Sequence, residues 1–150
     1  MPPALLKLAT VAEYQQHYVR RFCAAPIVTH DGIPVYFKKS LFAHAFYESV
    51  NGQDNTFSLA RAERMGWIML TLRDATTQRF QGYVHSKKRY DPRRRVELKH
   101  GDFIVVLVMA LDKGGNLKAE FLTCYPLAAG RRKKITAAPL WNAKDCKNAL

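Results

Sequence analysis

The spacing of hydrophobic and polar positions changes along this chain, from mainly helical spacing at first to strand-like alternation later. Residues 10–22 have the pattern of an amphipathic helix, with Thr10 as its cap and Glu13 at capping-box spacing. Two β-prone runs then flank Asp31–Gly32, a dipeptide typical of a tight turn. We therefore predict an N-terminal helix followed by a β-hairpin near residues 26–37.

Two more helices are predicted before the main strands. Ser40 is a suitable cap for an apolar stripe that runs to about Asn51, and His44 lies at the rim of that stripe. A second helix is predicted over residues 56–73, although its "WIMLTL" segment also has the composition of a buried strand. The helix is favoured because most residues around that segment are good helix formers.

The second half of the chain is predicted to be mainly β. A short strand over residues 78–85 precedes an irregular basic loop, 85–95, with a further short strand at Arg95–Leu98. The segments "DFIVVLVMALD" and "LKAEFLTCYP" then form a hairpin across "KGGN". From residue 128 onward there is no amphipathic pattern, so we expect a basic tail that is mobile until it meets a partner. Helices followed by an antiparallel sheet indicate the α+β class.

Composition and charge indicate how many domains and which class of partner to expect. The chain has 150 residues, of which 48% are hydrophobic, so we expect one folded domain. Its formal net charge of +12 indicates a polyanionic partner, most often nucleic acid. The charge is concentrated in two segments, because residues 85–100 hold seven Lys and Arg against two acids and residues 130–150 hold six against one.

The cysteines and the apolar runs argue against several other classes. Cys23, Cys124 and Cys146 are odd in number and far apart, which supports neither a disulfide framework nor a zinc site. The N-terminus lacks the features of a signal peptide, and no apolar run reaches the ~18 residues that span a membrane. We therefore expect no membrane partner and a cytoplasmic site of action, whether the chain is delivered there or phage-encoded.

The predicted helices carry side chains suited to phosphate chemistry. His44 supplies an imidazole, a group that can act as general acid or base, although a histidine at a helix edge is more often an ordinary boundary residue. Arg61 and Arg64 lie three apart on one helical face. They form either a solvated face or a pair of guanidinium groups that hold a phosphate.

Two hydroxyl groups close the last predicted strand. Thr123 and Tyr125 are two apart, so their side chains share one face of the sheet just before Pro126 ends the pairing. The 12 acidic residues are scattered along the chain, which argues against a metal cluster. Phosphodiester chemistry at this site is therefore predicted to be metal-independent, with the RNA 2′-hydroxyl as the nucleophile.

The basic segment interleaves cations with aromatic residues, a composition typical of a groove for single-stranded nucleic acid. The alternative is a solvated basic loop that has no ligand. We predict contact with the RNA backbone, and the residues assigned to RNA binding are Arg64, Tyr83, Lys87, Lys88, Arg89, Arg93, Arg94 and Arg95.

Three motifs in order, "DGIPVYFKKSLFAHAF", "RAERMGWIMLTLRDA" and "FLTCYP", resemble the BECR superfamily of RNase toxins. That superfamily includes barnase, EndoU, colicin E5, colicin D and RelE-like domains, and the resemblance is in particular to its phage-associated branch, PBECR. The resemblance covers residues 26–127. It implies an N-terminal helical segment over residues 1–25, a ribonuclease domain over 26–127 and a basic tail over 128–150.

The resemblance implies helices packed on a curved, roughly four-stranded antiparallel sheet with the active site on its concave face. It also implies cleavage of RNA, often tRNA, without metal or cofactor, leaving a 2′,3′-cyclic phosphate. The residues that match the family's catalytic positions are His44, Arg61, Thr123 and Tyr125, with Arg64 as the other choice for the arginine. A toxin of this kind requires an acidic immunity or antitoxin protein as its partner.

Two other functions fit the same composition. A non-catalytic module that binds RNA or DNA needs the basic segment but not His44. A phage- or virion-associated interaction protein would use its positive charge to contact packaged genome or an acidic protein. Replacement of His44 separates the ribonuclease from both, because only cleavage requires the imidazole.

Overall fold

Helices lie on one face of a mostly antiparallel sheet, which gives the protein the predicted α+β architecture. The computed structural model describes residues 3–50, 53–128 and 134–150, and at positions 50, 53–55, 93 and 94 only the backbone. The helices in these ranges include α1 (Val11–Phe22), a 3-10 turn (Lys39–Leu41), α2 (Phe42–Ala45), α3 (Leu59–Ala62), α4 (Met65–Arg73) and α5 (Ala143–Ala149). The strands in these ranges are β1 (Ile27–Val28), β2 (Pro34–Tyr36), β3 (Tyr47–Val50), β4 (Gln53–Phe57), β5 (Gln78–Val84), β6 (Arg89–His100), β7 (Phe103–Leu111) and β8 (Leu117–Pro126).

The main sheet has six strands in the order β1-β2-β8-β7-β6-β5, and β3 and β4 form a separate hairpin. Strands β5 to β8 make an antiparallel meander, and β2 runs parallel to β8. The predicted hairpin is confirmed as β1–β2, with Gly32 at a positive φ of 89° in its turn. The expected four-stranded antiparallel sheet corresponds to β5–β8, and the hairpin joins the edge of β8 and extends the sheet to six strands.

The α1 helix and its capping box are confirmed. The Thr10 hydroxyl accepts the Glu13 N–H at 3.2 Å, and the Glu13 carboxylate accepts the Thr10 N–H at 3.1 Å. One face of α1 buries Tyr14, Tyr18 and Phe22 at four-residue spacing. The Tyr18 hydroxyl donates to a backbone carbonyl at 2.8 Å, so its ring packs in the core without an unsatisfied polar group.

Two apolar cores lie on opposite faces of the sheet. The larger core packs the helices against residues such as Val96, Leu98 and Val105. The smaller core lies on the other face and includes Ile104 and Val106, which flank Val105 along β7. Strand β7 is therefore buried on both sides, in agreement with its unbroken apolar run.

The helix predicted over residues 40–50 is too long. The structure ends α2 at Ala45 and begins β3 at Tyr47, whose ring centre lies 5.6 Å from that of Phe57 across the β3–β4 hairpin. Cross-strand aromatic pairs of this kind stabilise a hairpin. An Asn-Gly dipeptide between β-prone runs is also a hairpin signal, and the sequence prediction interpreted it as the end of a helix. Asn51 itself lies outside the described residues.

The helix predicted over residues 56–73 is confirmed in part. Thr56 belongs to β4, and α3 begins only at Leu59 because the Ser58 hydroxyl caps it. The "WIMLTL" segment is helical and forms most of α4, so the strand alternative for it is wrong. A short break separates α3 from α4.

Most of the basic segment is a strand, which includes the short strand predicted at Arg95–Leu98 and also residues that were predicted to be an irregular loop. Strand β6 begins at Arg89 and pairs with both β5 and β7. Its pairing with β5 jumps from Asp91 to Val96, so the residues between them bulge out of the ladder. Pro92 lies in this bulge, where its missing N–H costs no ladder hydrogen bond.

The C-terminal residues that the structure describes are folded, contrary to the expected mobile tail. The Trp141 N–H donates to the Arg79 carbonyl at 3.0 Å and the Gln81 N–H donates to the Pro139 carbonyl at 2.8 Å, so this segment covers the outer edge of β5. The Trp141 side chain is 5% exposed and joins the larger core. Trp141 belongs to no periodic apolar pattern in the sequence, so its burial was not predicted. The division of the chain at residues 25 and 127 stays a prediction.

Candidate functional site

One surface pocket gathers the four residues predicted to be catalytic. It has a volume of about 390 Å³ and lies where α2, β3, α3 and the end of β8 meet. Its lining residues are His44, Tyr47, Glu48, Ser49, Arg61, Thr123, Tyr125, Pro126 and Ala128. These residues come from separate parts of the chain, so tertiary folding brings them together.

His44 is carried on a short helix whose neighbouring residues are buried. Phe42 and Ala45 of α2 lie in the core, and His44 between them is exposed at the pocket, at the rim that the sequence predicted. The Ala45 carbonyl accepts hydrogen bonds from the Arg61 guanidinium at 3.3 Å and from the Thr123 hydroxyl at 3.5 Å. Arg61 and Thr123 therefore both hold the backbone of Ala45, the residue that follows His44.

Arg61 is positioned by a helix cap and by two carbonyls. The Ser58 hydroxyl accepts the Arg61 backbone N–H at 3.3 Å. The Arg61 Nη1 atom donates to Ala45 and, at 2.9 Å, to the Tyr47 carbonyl. The guanidinium carbon lies 5.9 Å from the centre of the Tyr125 ring. The Nε and Nη2 donors have no partner among the described residues, so they are available to an anionic oxygen.

A bulge turns the end of β8 toward the pocket. The ladder with β7 shifts register at this point. Val106 pairs with Thr123, and the next β7 residue, Leu107, pairs with Phe121. Leu122 is the extra residue, and it moves the alternation of faces by one position. Phe121 therefore packs in the larger core, whereas Thr123 and Tyr125 line the pocket.

Cys124 lies between these two hydroxyl residues but points into the larger core. Its side chain is fully buried, and burial raises the pKa of the thiol to about 12, against the opposing effect of the nearby Arg61 charge. The thiol is therefore protonated at neutral pH, which excludes a thiolate nucleophile at this position.

Arg64 lies outside the pocket. Its Nη1 atom donates to the Ala60 carbonyl at 2.7 Å and lies 3.3 Å from the Glu63 carboxylate. Its guanidinium carbon is 5.1 Å from the centre of the Trp67 ring, which is on α4. These contacts connect the two helices, so Arg61 is the arginine that the pocket contains.

Three of the cations predicted to bind RNA surround the turn between β5 and β6. Lys87, Lys88 and Arg89 are exposed, and the Lys87 amine lies 3.7 Å from the buried carboxylate of Asp91. Two more of the predicted cations, whose side chains lie outside the described residues, are Arg93 and Arg94.

The other two predicted RNA-binding residues, Tyr83 and Arg95, line a second cavity of about 160 Å³. Tyr125 lines this cavity as well as the first pocket, so the two are adjacent. The fold therefore connects the predicted catalytic residues with part of the predicted RNA-binding segment.

Three charged residues of these cavities were missed by the sequence analysis. Glu48 lines the first pocket and accepts a hydrogen bond from the Ser58 hydroxyl at 3.4 Å. Its position four residues after His44 was an available signal. Glu97 and Lys134 line the second cavity. The alternation of Arg95 and Glu97 in a β-prone run indicated a shared strand face, whereas nothing local marked Lys134.

The described residues contain neither a metal-binding cluster nor a membrane-spanning helix. In residues 3–50, 53–128 and 134–150, no three His, Cys, Asp or Glu side chains are grouped closely enough to hold a metal ion. No helix in the described part of the chain combines the length and apolar character that crossing a membrane requires.

Comparison with known proteins gives no relative for this chain. A scan against protein-family models, a search of curated proteins and a search of solved structures each found no match. The resemblance to the BECR superfamily therefore rests on the sequence motifs and stays a prediction.

Proposed function

We propose that this protein is an endoribonuclease that cleaves RNA, with tRNA as a candidate substrate, without a metal ion. The observation that carries the proposal is the convergence of His44, Arg61, Thr123 and Tyr125 in one surface pocket. Together they supply an imidazole, a guanidinium and two hydroxyls. These groups suit an attack by the RNA 2′-hydroxyl on the adjacent phosphate.

The proposed reaction forms one bond to phosphorus and breaks another. A base removes the proton of the 2′-hydroxyl, and the 2′-oxygen bonds to phosphorus. The bond from phosphorus to the 5′-oxygen breaks, and an acid returns a proton to that oxygen, leaving a 2′,3′-cyclic phosphate. We assign His44 to one of these two roles and Tyr125 to the other. Glu48, which lines the same pocket, is a second candidate for the base.

Arg61 is assigned to the negative charge that grows on the phosphate oxygens. Its guanidinium is already held in place by the Ala45 and Tyr47 carbonyls, so little reorganisation is needed when that charge develops. The Thr123 hydroxyl lies beside it on the same carbonyl. Its proposed role is to orient the phosphate, by turning its one proton from this long contact of 3.5 Å to a phosphate oxygen.

One observation favours a second candidate function, a non-catalytic module that binds nucleic acid. Arg61 already has structural partners, so its place in the pocket is explained without catalysis. The formal net charge of +12 supports a polyanionic ligand in either case, and affinity should fall steeply as salt rises. Cleavage itself is therefore the property that separates the two functions.

The decisive experiment is incubation of total tRNA with the purified chain in EDTA, beside the His44→Ala variant. His30→Ala is the matched control, because His30 is an exposed histidine that does not line the pocket. We expect discrete fragments with cyclic-phosphate ends from the native chain and from the control. The His44→Ala variant should bind tRNA but lose about 10²- to 10⁴-fold of the cleavage rate.

Intact tRNA with salt-sensitive binding by all three proteins would overturn the ribonuclease proposal in favour of the binding module. Cleavage that appears only when Mg²⁺ replaces EDTA would contradict the metal-independent step. Under the ribonuclease proposal, the expected partner is an acidic immunity or antitoxin protein and the expected site of action is the cytoplasm.

A further inference from the structure

The second cavity borders the candidate active site, because Tyr125 lines both. Its volume of about 160 Å³ is enough for one planar ring system rather than a folded segment. An RNA strand whose phosphate lies between His44 and Arg61 would bring the neighbouring nucleoside to this cavity.

Aromatic rings form one side of the cavity. The Tyr83 ring centre lies 5.3 Å from that of Tyr90 and 5.0 Å from that of His85, both in edge-to-face geometry. Tyr83, the next-to-last residue of β5, is 36% exposed. Exposed rings beside a basic segment are the usual stacking surfaces for unpaired bases.

Charged groups of both signs lie on the floor of the cavity. Arg95 and Glu97 are two apart on β6, so a donor and an acceptor share one face. A carboxylate repels a phosphate group, whereas the pairing edge of a base carries both N–H donors and acceptors. Gly82 on the paired strand leaves room for Arg95, because a Cβ added to the glycine would overlap the arginine side chain.

The C-terminal segment forms the remaining wall, with Lys134, Ile135 and Ala138. Ile135 and Ala138 are 8% exposed and pack on the smaller core, and the backbone that follows is bonded to β5. This wall is therefore anchored to the sheet. Lys134 adds a cation at the cavity, where it can meet the phosphate of the same nucleotide.

We propose that this cavity is a subsite for one unpaired nucleobase, next to the phosphate that is cleaved. Tyr83, Tyr90 and His85 supply the stacking surface, Arg95 and Glu97 contact the edge of the base, and the C-terminal segment closes the site. The inference rests on the proposed function for the position of the phosphate. It also specifies the substrate class as single-stranded RNA, because a paired base cannot leave its stack without additional cost.

The test uses a fluorescein-labelled single-stranded RNA decamer in which 2′-fluoro replaces every 2′-hydroxyl, so that it cannot be cleaved. A matched series lacks the base at one position after another, and binding is measured by fluorescence anisotropy at fixed salt. We expect one position at which loss of the base weakens binding by about 5- to 150-fold. Equal affinity for every member of the series would overturn the proposal.

Three variants locate the effect in this cavity. Tyr83→Ala should weaken binding of the intact decamer by a similar factor and abolish the difference between the intact and abasic strands. Tyr83→Phe keeps the ring and should bind like the native chain. Tyr36→Ala is the matched control, because Tyr36 is 43% exposed on β2 and lies outside both cavities. An unchanged abasic effect in Tyr83→Ala would refute the assignment of the site.

Glu97→Gln tests the recognition of the base edge. Replacing a carboxylate, which only accepts, by an amide that also donates should change which of the four bases at the sensitive position binds best. An unchanged order of preference would contradict the role of Glu97.

The two proposals fail in different ways. Base-dependent binding of the fluoro decamer without cleavage of natural RNA would support the subsite and reject the ribonuclease. Cleavage of natural RNA with no base-dependent binding would support the ribonuclease and reject the subsite.

Discussion

The two faces of the main sheet are made by the same strands and carry opposite kinds of residue. On β6, Val96 and Leu98 are 1% and 3% exposed and pack beneath the helices. Arg95 and Glu97 alternate with them and line a cavity on the other face. The side chains that stabilise the fold and those proposed to act on RNA are therefore neighbours in sequence.

The two faces of the sheet also differ in how much apolar packing they contain. The helix-covered face contains a continuous aromatic cluster in which Tyr18, Phe37 and Phe46 surround Phe121 at ring-centre distances of 4.9 to 6.4 Å. Among the described residues, the opposite face has a smaller apolar core. Substitutions on the first face should therefore change stability, and those on the second face should change function.

The largest expected effect is on the helix-covered face. Phe121→Ala removes a ring that is 2% exposed, and loss of such a ring should lower the free energy of unfolding by about 3–5 kcal/mol. Urea denaturation followed by circular dichroism measures the change. A loss below about 1 kcal/mol would contradict the assignment of the main stabilising core to this face.

Tyr125→Phe is the matched substitution on the other face of the same strand. It removes only the hydroxyl, so the free energy of unfolding should change by at most about 0.5–1.5 kcal/mol, the net contribution of one hydrogen bond. If Tyr125 transfers a proton, the cleavage rate should fall by about 10²-fold or more. A native cleavage rate would remove Tyr125 from the reaction and leave it as a wall of the two cavities.

Arg61→Lys changes a residue that contributes both to stability and to the candidate site, because Arg61 lines the pocket and holds the backbone beside His44. Both carbonyls accept from the Nη1 atom, and a lysine amine lies one bond nearer the backbone and lacks the Nε and Nη2 donors. We therefore expect a stability loss of about 1–3 kcal/mol together with slower cleavage. Arg64→Lys is the control on the same segment and should leave the cleavage rate unchanged. Equal effects of the two variants on cleavage would show that Arg61 has no special role.

The smallest effect concerns Asp74, which lies outside both cavities. Hydrogen bonds from the Thr76 backbone and side chain and from His100 lower the pKa of its carboxyl from 3.8 to about 2. Because the pKa is lower in the folded state, the carboxylate stabilises the fold above about pH 4, and this contribution is lost as the pH falls toward 2. Asp74→Asn should therefore be less stable than the native chain at pH 6.

Urea denaturation of the native chain and of Asp74→Asn, at pH 6 and near pH 2, measures how the stability difference between them changes with pH. Glu120→Gln is the control, because Glu120 belongs to an exposed ion pair with Lys38 at 3.4 Å and should contribute little at either pH. A difference for Asp74→Asn that persists undiminished near pH 2 would mean that the side chain's shape, not its charge, stabilises the fold.

Local signals in the sequence were sufficient for some elements and misleading for others. The capping box at Thr10 and the turn at Gly32 each depend on residues close in sequence, and both are confirmed. The segment after His44 has helical apolar spacing as well as β-prone residues. Its partner strand β4 lies beyond it in the chain, so pairing outweighed the local helical preference.

For the candidate site, the sequence alone determined the chemistry: an imidazole, two arginines, a pair of hydroxyls on the last strand and a strongly basic segment between them. Only the tertiary structure decided which of them meet. Arg61 joins His44 and Arg64 does not, because α3 turns one of the two toward the Ala45 carbonyl.

The bulge at Leu122 illustrates the physical reason. Strict alternation from Phe121 would send Thr123 and Tyr125 into the core, and one extra residue in the ladder moves both to the pocket. The wall that Lys134 and its neighbours add to the second cavity also depends on distant backbone pairing with β5. Residue types follow from the sequence, whereas register and long-range contacts follow from the packing of the whole chain.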